Sequence, residues 1–339
     1  MKFAVGHQLP DEDEPPFADL VRDFSEHIAE VYFPWLDLPT GRSPIVRDPS
    51  EHRVAQELLE EDLLAIRHLG VKLDLLLNAS CYGQEAYSIN LVERVSTVIA
   101  HLRELVGLDI VTTMSPLIAE TVKQRFPEVE VRASVNMRLG TTRAMEYVAH
   151  LFDSYYVQRE FNRDYMRLDE LQGWSQANGK KLMMLANSGC LSYCAVQTFH
   201  DNLVSHEAEV ARMANVPAET PAFCWSYYRD RKNWLRFLQN TWIRPEDLHH
   251  YGDRFPIVKL ATRMHANPRR VIQAYVSGRF SGNLPELFEP GHGSVFAPYI
   301  IDNRRFPADW FERTSSCGQQ CELCGYCAEV LEQVLVAVG

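Results

Sequence analysis

Eight short apolar runs recur along this chain, each followed by a segment with helical spacing of apolar residues, and that alternation limits the fold more than any other feature. The runs are KFAVG (2–6), IAEVYFP (28–34), KLDLLLNA (72–79), DIVTTM (109–114), EVRASVN (130–136), SYYVQ (154–158), KLMMLAN (181–187) and FPIVKLAT (255–262). The helical segments include SEHRVAQELLEEDLLAIRHLG, with Ser50 placed as its N-cap. Strands that alternate with helices pair in parallel, because each parallel return needs a crossover. Eight strands close a (β/α)8 TIM-type barrel; an open doubly wound sheet is the alternative. The interval from Cys190 to Pro256 is too long for a simple crossover, so a helical insertion (SHEAEVARMAN, YYRDRKNWLRFLQNTW) is expected after strand seven, at about 200–250. The expected division is a barrel over 1–305 and a cysteine-rich extension over 306–339, ending in a helix at AEVLEQVLVAV.

A single α/β barrel commonly reaches the length of this chain, 339 residues. The net charge of −11 disfavours broad contact with a phosphate backbone, so a small molecule is the expected partner and nucleic acid is not. No stretch approaches the roughly 18 consecutive apolar residues of a membrane span. The start, MKFAVGHQLPDEDEPP, turns acidic after a short apolar run, unlike a secretory leader, so a cytoplasmic location is expected.

In such a barrel the active groups stand on the loops after the strand ends. Those positions hold Asn78, Ser80 and Cys81 after the third strand, Asn136 and Arg138 after the fifth, and Gln158 and Arg159 after the sixth. Asn187 and Cys190 follow the seventh, and Arg263 and His265 the eighth. Arg159 and Arg263 are suited to gripping a carboxylate by paired hydrogen bonds. Lys259 is a candidate charge or proton carrier, and His200 a candidate proton donor or ligand. Asn78, Asn136 and Asn187 are candidates to orient a substrate. For Arg159, a salt bridge to Glu160 or Asp164 is the competing reading.

The cysteines add a metal signature. Cys317, Cys321, Cys324 and Cys327 form a C-x3-C-x2-C-x2-C run, spacing that turns one loop around a metal centre and suits an iron–sulfur cluster or zinc. Cys190 and Cys194 follow the seventh strand, and Cys224 lies within the insertion. Three thiolates are one short of a cubane site. The fourth ligand is left open between Cys81, a tail cysteine and a non-protein group. Gly189 is expected to let the backbone turn sharply before Cys190. The competing reading for these thiols is burial as small apolar side chains.

Leu77-Asn78-Ala79-Ser80, Val157-Gln158-Arg159-Glu160, Asn187-Ser188-Gly189-Cys190 with Cys194, and Val258-Lys259-Leu260-Ala261-Thr262-Arg263 resemble the strand ends of the collagenase-like peptidase family of unassigned catalytic type. Its members include oxygen-independent hydroxylation proteins of ubiquinone synthesis and related RNA-hydroxylation proteins. The resemblance covers about residues 70–265. It implies a barrel, a cytoplasmic location and, in the hydroxylation members, a [4Fe–4S] cluster on four cysteines. By position Cys190 and Cys194 match cluster ligands and Cys224 is the third. One or two clusters are implied, with zinc as the alternative in the tail, and a partner subunit of the same family. The function so implied is oxygen-independent hydroxylation, or a related redox change, of a small carboxylate or aromatic substrate. RNA hydroxylation and metal-dependent peptide cleavage are the alternatives. This sequence departs from the family in having Leu191-Ser192-Tyr193-Cys194 where a Tyr-Ser-Gly-Arg-Cys stretch stands, and in its tail quartet.

Overall fold

A computed structural model describes residues 1–10, 14–46, 49–213, 215 and 223–338 of the chain. All eight expected strands form: β1 (Lys2–Gly6), β2 (Ile28–Pro34), β3 (Lys72–Leu77), β4 (Ile110–Thr113), β5 (Glu130–Ala133), β6 (Ser154–Tyr156), β7 (Lys181–Leu185) and β8 (Ile257–Lys259). They close a barrel in chain order, every neighbouring pair parallel, with β8 returning to β1 through Ala4 opposite Lys259. This is the (β/α)8 fold. Helices α1 (Phe17–Asp23), α2 (His52–His68), α3 (Ile89–Val106), α4 (Pro116–Arg125), α5 (Thr142–Tyr147) and α6 (Tyr165–Ala177) are the first six crossovers. Their starts follow local chemistry: the Ser88, Ser115, Thr141 and Asp164 side chains each accept an orphan backbone N–H of the first turn. At α2 the expectation fails, because a 3₁₀ turn over Pro49–Glu51 takes in Ser50 and the helix begins at His52.

The insertion after β7 forms, with shorter helices than the sequence suggested. It holds α7 (Gln197–Ser205), α8 (Glu207–Val210), α9 (Phe223–Tyr228) and α10 (Leu235–Leu238). Part of the expected SHEAEVARMAN helix falls outside the described residues. After β8 come α11 (Pro268–Ser277), β9 (Tyr299–Ile301), α12 (Trp310–Ser315) and α13 (Tyr326–Val334). The final helix does not run through AEVLEQVLVAV. It stops at Val334, and β10 (Leu335–Ala337) pairs antiparallel with β9. Leu335 and Val336 are β-formers, and the open edge of β9 offers them backbone partners. Val330, Leu331 and Val334 join the main hydrophobic core, so the extension docks on the barrel. Trp242 of the insertion stacks between Phe288 and Trp310, and the Arg163 guanidinium lies over its ring at 4.2 Å.

Outward-facing strand residues such as Val31, Leu73, Leu75, Val111, Val131 and Val258 pack under the helices. The barrel interior is different. Ala4, Tyr32 and Leu76 form a small apolar cluster of their own. Beside it Arg132 on β5 bonds both oxygens of Glu30 on β2, at 2.6 and 3.1 Å, across the barrel rather than along the sheet. Its other contacts are Glu130 at 2.9 Å, Ser154 at 3.0 Å and Asp74 at 3.6 Å. Asp74 also accepts the Thr112 hydroxyl. Burial pushes the Asp74 carboxyl up, opposed by the Arg132 charge. These charges read in sequence as lone ionic residues within apolar runs.

Breaking a buried ion pair from one side costs about 3–5 kcal/mol, because the partner charge stays buried. Arg132→Met is therefore expected to lower the unfolding free energy by about that much, and adding Glu30→Leu to recover part of it. Urea midpoints of the two variants check this; an unchanged midpoint for Arg132→Met would contradict the account.

Candidate functional site

A cavity of about 1160 Å³ lies between the C-terminal mouth of the barrel and the insertion. Its polar end is built by strand-end loops. Arg42, on the loop after β2, donates from Nε to Glu289 at 3.1 Å and from Nη1 to the Gly41 carbonyl at 2.8 Å. Burial lowers the basicity of its guanidinium, but Glu289, Cys190 and Asp201 outweigh that and hold it charged. Arg159, after β6, is buried, donates to Ser188 at 3.3 Å, and stands 3.9 Å from Glu160. The Glu160 salt bridge weighed from the sequence is therefore long and leaves room for another anion. Half-buried His200 faces the same space from α7. Burial lowers its pKa, Arg42 and Arg159 add to that, and Asp201 opposes them, so the ring is held neutral near neutral pH. Arg138, in left-handed conformation after β5, pairs with Asp201 at 3.1 Å. The rest of the wall is largely apolar, with Phe199, Leu203, Val204, Phe223, Trp225 and Phe288.

Cys190, Cys194 and Cys224 all line this cavity. The chain turns between the first two at Tyr193, which is left-handed at φ 52°. Burial pushes the Cys224 thiol up to about 11, and the nearby Cys190 and Cys194 push it the same way. Gly189 has a different role from the one expected. A Cβ there would lie 2.1 Å from the Pro290 carbonyl, so glycine permits the close approach of the 288–290 segment to which Gly189 hydrogen-bonds.

Cys317, Cys321, Cys324 and Cys327 form a second, separate group. Burial raises the Cys327 thiol to about 11; Arg163 opposes this, and the other three tail cysteines add to it. The loop doubles back through left-handed Gly318 and Gln319. It meets the cavity group only indirectly, where Gln319 donates to the Glu160 carbonyl and receives the Tyr193 hydroxyl. Among the described residues no group of three or more His, Cys, Asp or Glu side chains is drawn close enough to hold a metal ion. The donor chemistry of each thiol group nevertheless suits iron–sulfur ligation, with three thiolates at the cavity and four in the tail. Cys81 belongs to neither group. Its sulfur accepts the Gly83 N–H at 3.4 Å, and it is not part of the cavity wall.

Several expected substrate contacts are committed to the fold instead. Asn187 donates to the Ala261 and Leu287 carbonyls at 2.9 Å each and accepts the Ala261 N–H at 2.6 Å, tying β7 to β8 and to the 284–287 turn. Asn78 accepts the Gly41 N–H at 3.0 Å, and a Cβ on Gly41 would lie 2.7 Å from Asn136. Asn78 therefore seats the loop that carries Arg42, and the Asn136 amide packs beside it. Lys259 sits inside the barrel, its ammonium 3.8 Å from the Tyr32 ring centre; burial lowers its pKa and Asp74 opposes that. Arg263 is buried beside Thr40, and burial takes its pKa down to about 10 against the pull of Glu289. Its Nη1 has no hydrogen-bond partner among the described residues. Sequence reasoning missed Arg42 and Glu289. Arg42 follows the end of β2 in Thr40-Gly41-Arg42, so the strand-end rule could have found it. For Glu289, in a loop far along the chain, no such signal existed.

No family model matches the chain. It is similar to a curated protein of Methanocaldococcus jannaschii named "Uncharacterized protease MJ1657", with 27% identity over 305 residues, covering 87% of this chain and 85% of that one. Among solved structures it is similar to "The Structure of the U32 Peptidase Mk0906", with 15% identity and a TM-score of 0.55, covering 76% of this chain and 91% of that one. The structural likeness shows the fold. The sequence likeness supports the resemblance to the collagenase-like peptidases and does not bear on the hydroxylation branch. No helix among the described residues is long and apolar enough to cross a membrane.

Two outcomes follow. Asn187→Ala leaves buried backbone groups unpaired and is expected to cost about 2–3 kcal/mol of stability, read from the urea midpoint. Arg42→Gln removes a cation facing His200, so the His200 pKa measured by NMR should rise. An unmoved value would separate the two residues electrostatically.

Proposed function

We propose that this chain is an iron–sulfur protein of the collagenase-like peptidase kind that takes part in oxygen-independent hydroxylation, or a related redox modification, of a small amphipathic carboxylate. One observation carries the reading: thiols from the β7 loop and from the far side of the insertion line the same cavity as Arg42, Arg159 and His200. Cys190, Cys194 and Cys224 would hold a [4Fe–4S] cluster with one iron left to a non-protein ligand, and the tail quartet a second cluster or zinc. When bound, such a cluster supplies electron transfer or Lewis acidity. The chain's own residues do the rest. Arg42 and Arg159 bind the carboxylate, and charge-assisted bonds in a partly dry site are the strong ones. Neutral His200 holds or passes a proton at its ring nitrogen. Phe199, Leu203, Phe223 and Phe288 receive the apolar body and exclude water. The cytoplasm is the proposed location, and a second subunit of the same kind the proposed partner.

A peptidase reading draws on the names of the M. jannaschii relative and of the solved structure. It predicts colourless protein that cleaves gelatin. The net charge of −11 weighs against RNA as substrate.

Anaerobic purification with an absorption spectrum and iron and sulfide counts decides between them. Brown protein with stoichiometric sulfide is expected, and Cys190→Ala should remove one whole cluster while leaving the unfolding free energy of the metal-free chain, from urea titration, within about 1 kcal/mol. A colourless, zinc-only preparation would sink the redox reading.

A further inference from the structure

Lys259, the last residue of β8, carries an amine that the proposed function does not use. Its nitrogen lies 3.8 Å from the centre of the Tyr32 ring and 5.1 Å from that of Tyr156, so aromatic faces from β2 and β6 flank it. It forms no hydrogen bond or ion pair among the described residues. The nearby carboxylates are engaged elsewhere: Arg132 holds both oxygens of Glu30, and Asp74 accepts the Thr112 hydroxyl and faces Arg132 at 3.6 Å. A buried lysine is almost always paired, and this one is not. Its nitrogen is nevertheless reachable. Lys259 keeps 8% of its surface, and its nitrogen, unlike Tyr156 Oη and Arg263 Nη1, is not sealed from water. The chain runs on from Lys259 through Arg263 to Met264, which lines the cavity, so the amine stands at the barrel mouth, where active groups of this fold belong.

Arg263 flanks the same tyrosine. A Cβ on Gly6 would lie 2.6 Å from Tyr32 Cε2 and 2.7 Å from Arg263 Cβ, so the two side chains start side by side. Arg263 is 7% exposed; its Nη2 donates to Thr40 at 3.3 Å, and its Nη1 has no acceptor among the described residues. An unmatched buried donor is costly, and it marks a place for an acceptor that the chain does not supply. A lysine amine becomes a nucleophile when it is desolvated or set beside other cations. Both conditions hold here. Burial lowers the basicity of Lys259; Asp74 opposes this, and Arg132, Arg263 and Arg42 add to the lowering.

We propose that Lys259 is the nucleophile of a further site, condensing with the carbonyl carbon of a small 2-oxo acid while Arg263 receives the carboxylate. The amine lone pair attacks the carbonyl carbon, and a carbon–nitrogen bond forms. The carbonyl oxygen takes the two hydrogens of the amine and leaves as water. An imine then joins the substrate to Lys259, and no electrons are gained or lost. The step needs no metal, so it stands apart from the cluster reading.

The test incubates the full chain with pyruvate and sodium cyanoborohydride at neutral pH, with free Nα-acetyl-lysine amide in the same tube, and maps the reduced adduct by peptide mass spectrometry. Lys259 should be modified about tenfold faster than the free amine, or more. Acetone, a ketone of similar size without the carboxylate, should show a smaller preference for Lys259. No adduct at Lys259, or a rate no greater than that of the free amine, overturns the proposal. An equal preference with acetone overturns the role given to Arg263.

Discussion

Arg132 is the charge around which this barrel closes. A guanidinium sealed inside a protein must find carboxylates and hydroxyls in the right places, and here they come from β2, β3, β5 and β6 as Glu30, Asp74, Glu130 and Ser154. Side chains alternate along a strand, so a slip of one residue in any of these strands would turn its charge outward into the apolar layer beneath the helices. Wrong registers are therefore penalised more heavily than in an all-apolar barrel. The order extends upward. Lys259 rests over the Tyr32 ring, and the Tyr32 hydroxyl donates to the Leu260 carbonyl and accepts the Thr262 N–H. Arg263 begins at that point, so the mouth of the barrel is set on a base whose geometry the buried charges fix.

Residues at the mouth divide into those that build the loops and those left facing the cavity. Asn78 and Asn187 belong to the first kind: a primary amide can donate and accept at once, which suits it to closing backbone gaps between neighbouring loops. Two of the arginines belong to the second. Arg42 and Arg159 line the cavity, where Glu289 stands 3.1 Å from the first and Glu160 3.9 Å from the second. A guanidinium whose carboxylate partner is that distant keeps donors for an arriving carboxylate, which supports an anionic group as the ligand's polar end.

The barrel was legible because parallel strands buried on both faces leave continuous apolar runs, and eight of them with crossovers admit few closures. Strand ends placed Arg159 and Cys190 beside the cavity for the same reason. What escaped depends on contacts distant in sequence. Glu30, Asp74, Arg132 and Lys259 each interrupt an apolar run with one charge, a sign of an ionic interior that only their meeting across the barrel makes clear. Strand-end position says where Asn187 stands, not that its amide is already taken by Ala261 and Leu287. Val334 ends the last helix because β9 offers an edge, a fact absent from the local periodicity.

The insertion after β7 determines what the mouth can become. Without it the arginines would open to water, where attraction to a carboxylate falls severalfold with the rise in effective dielectric. Covering them requires a helix with two different faces, and α7 supplies one. His200, Leu203 and Val204 look into the cavity, while Asn202 and Ser205 hold the β3 loop. Those contacts, together with the Arg138–Asp201 pair at 3.1 Å, fasten α7 so that its apolar side is held over the barrel mouth.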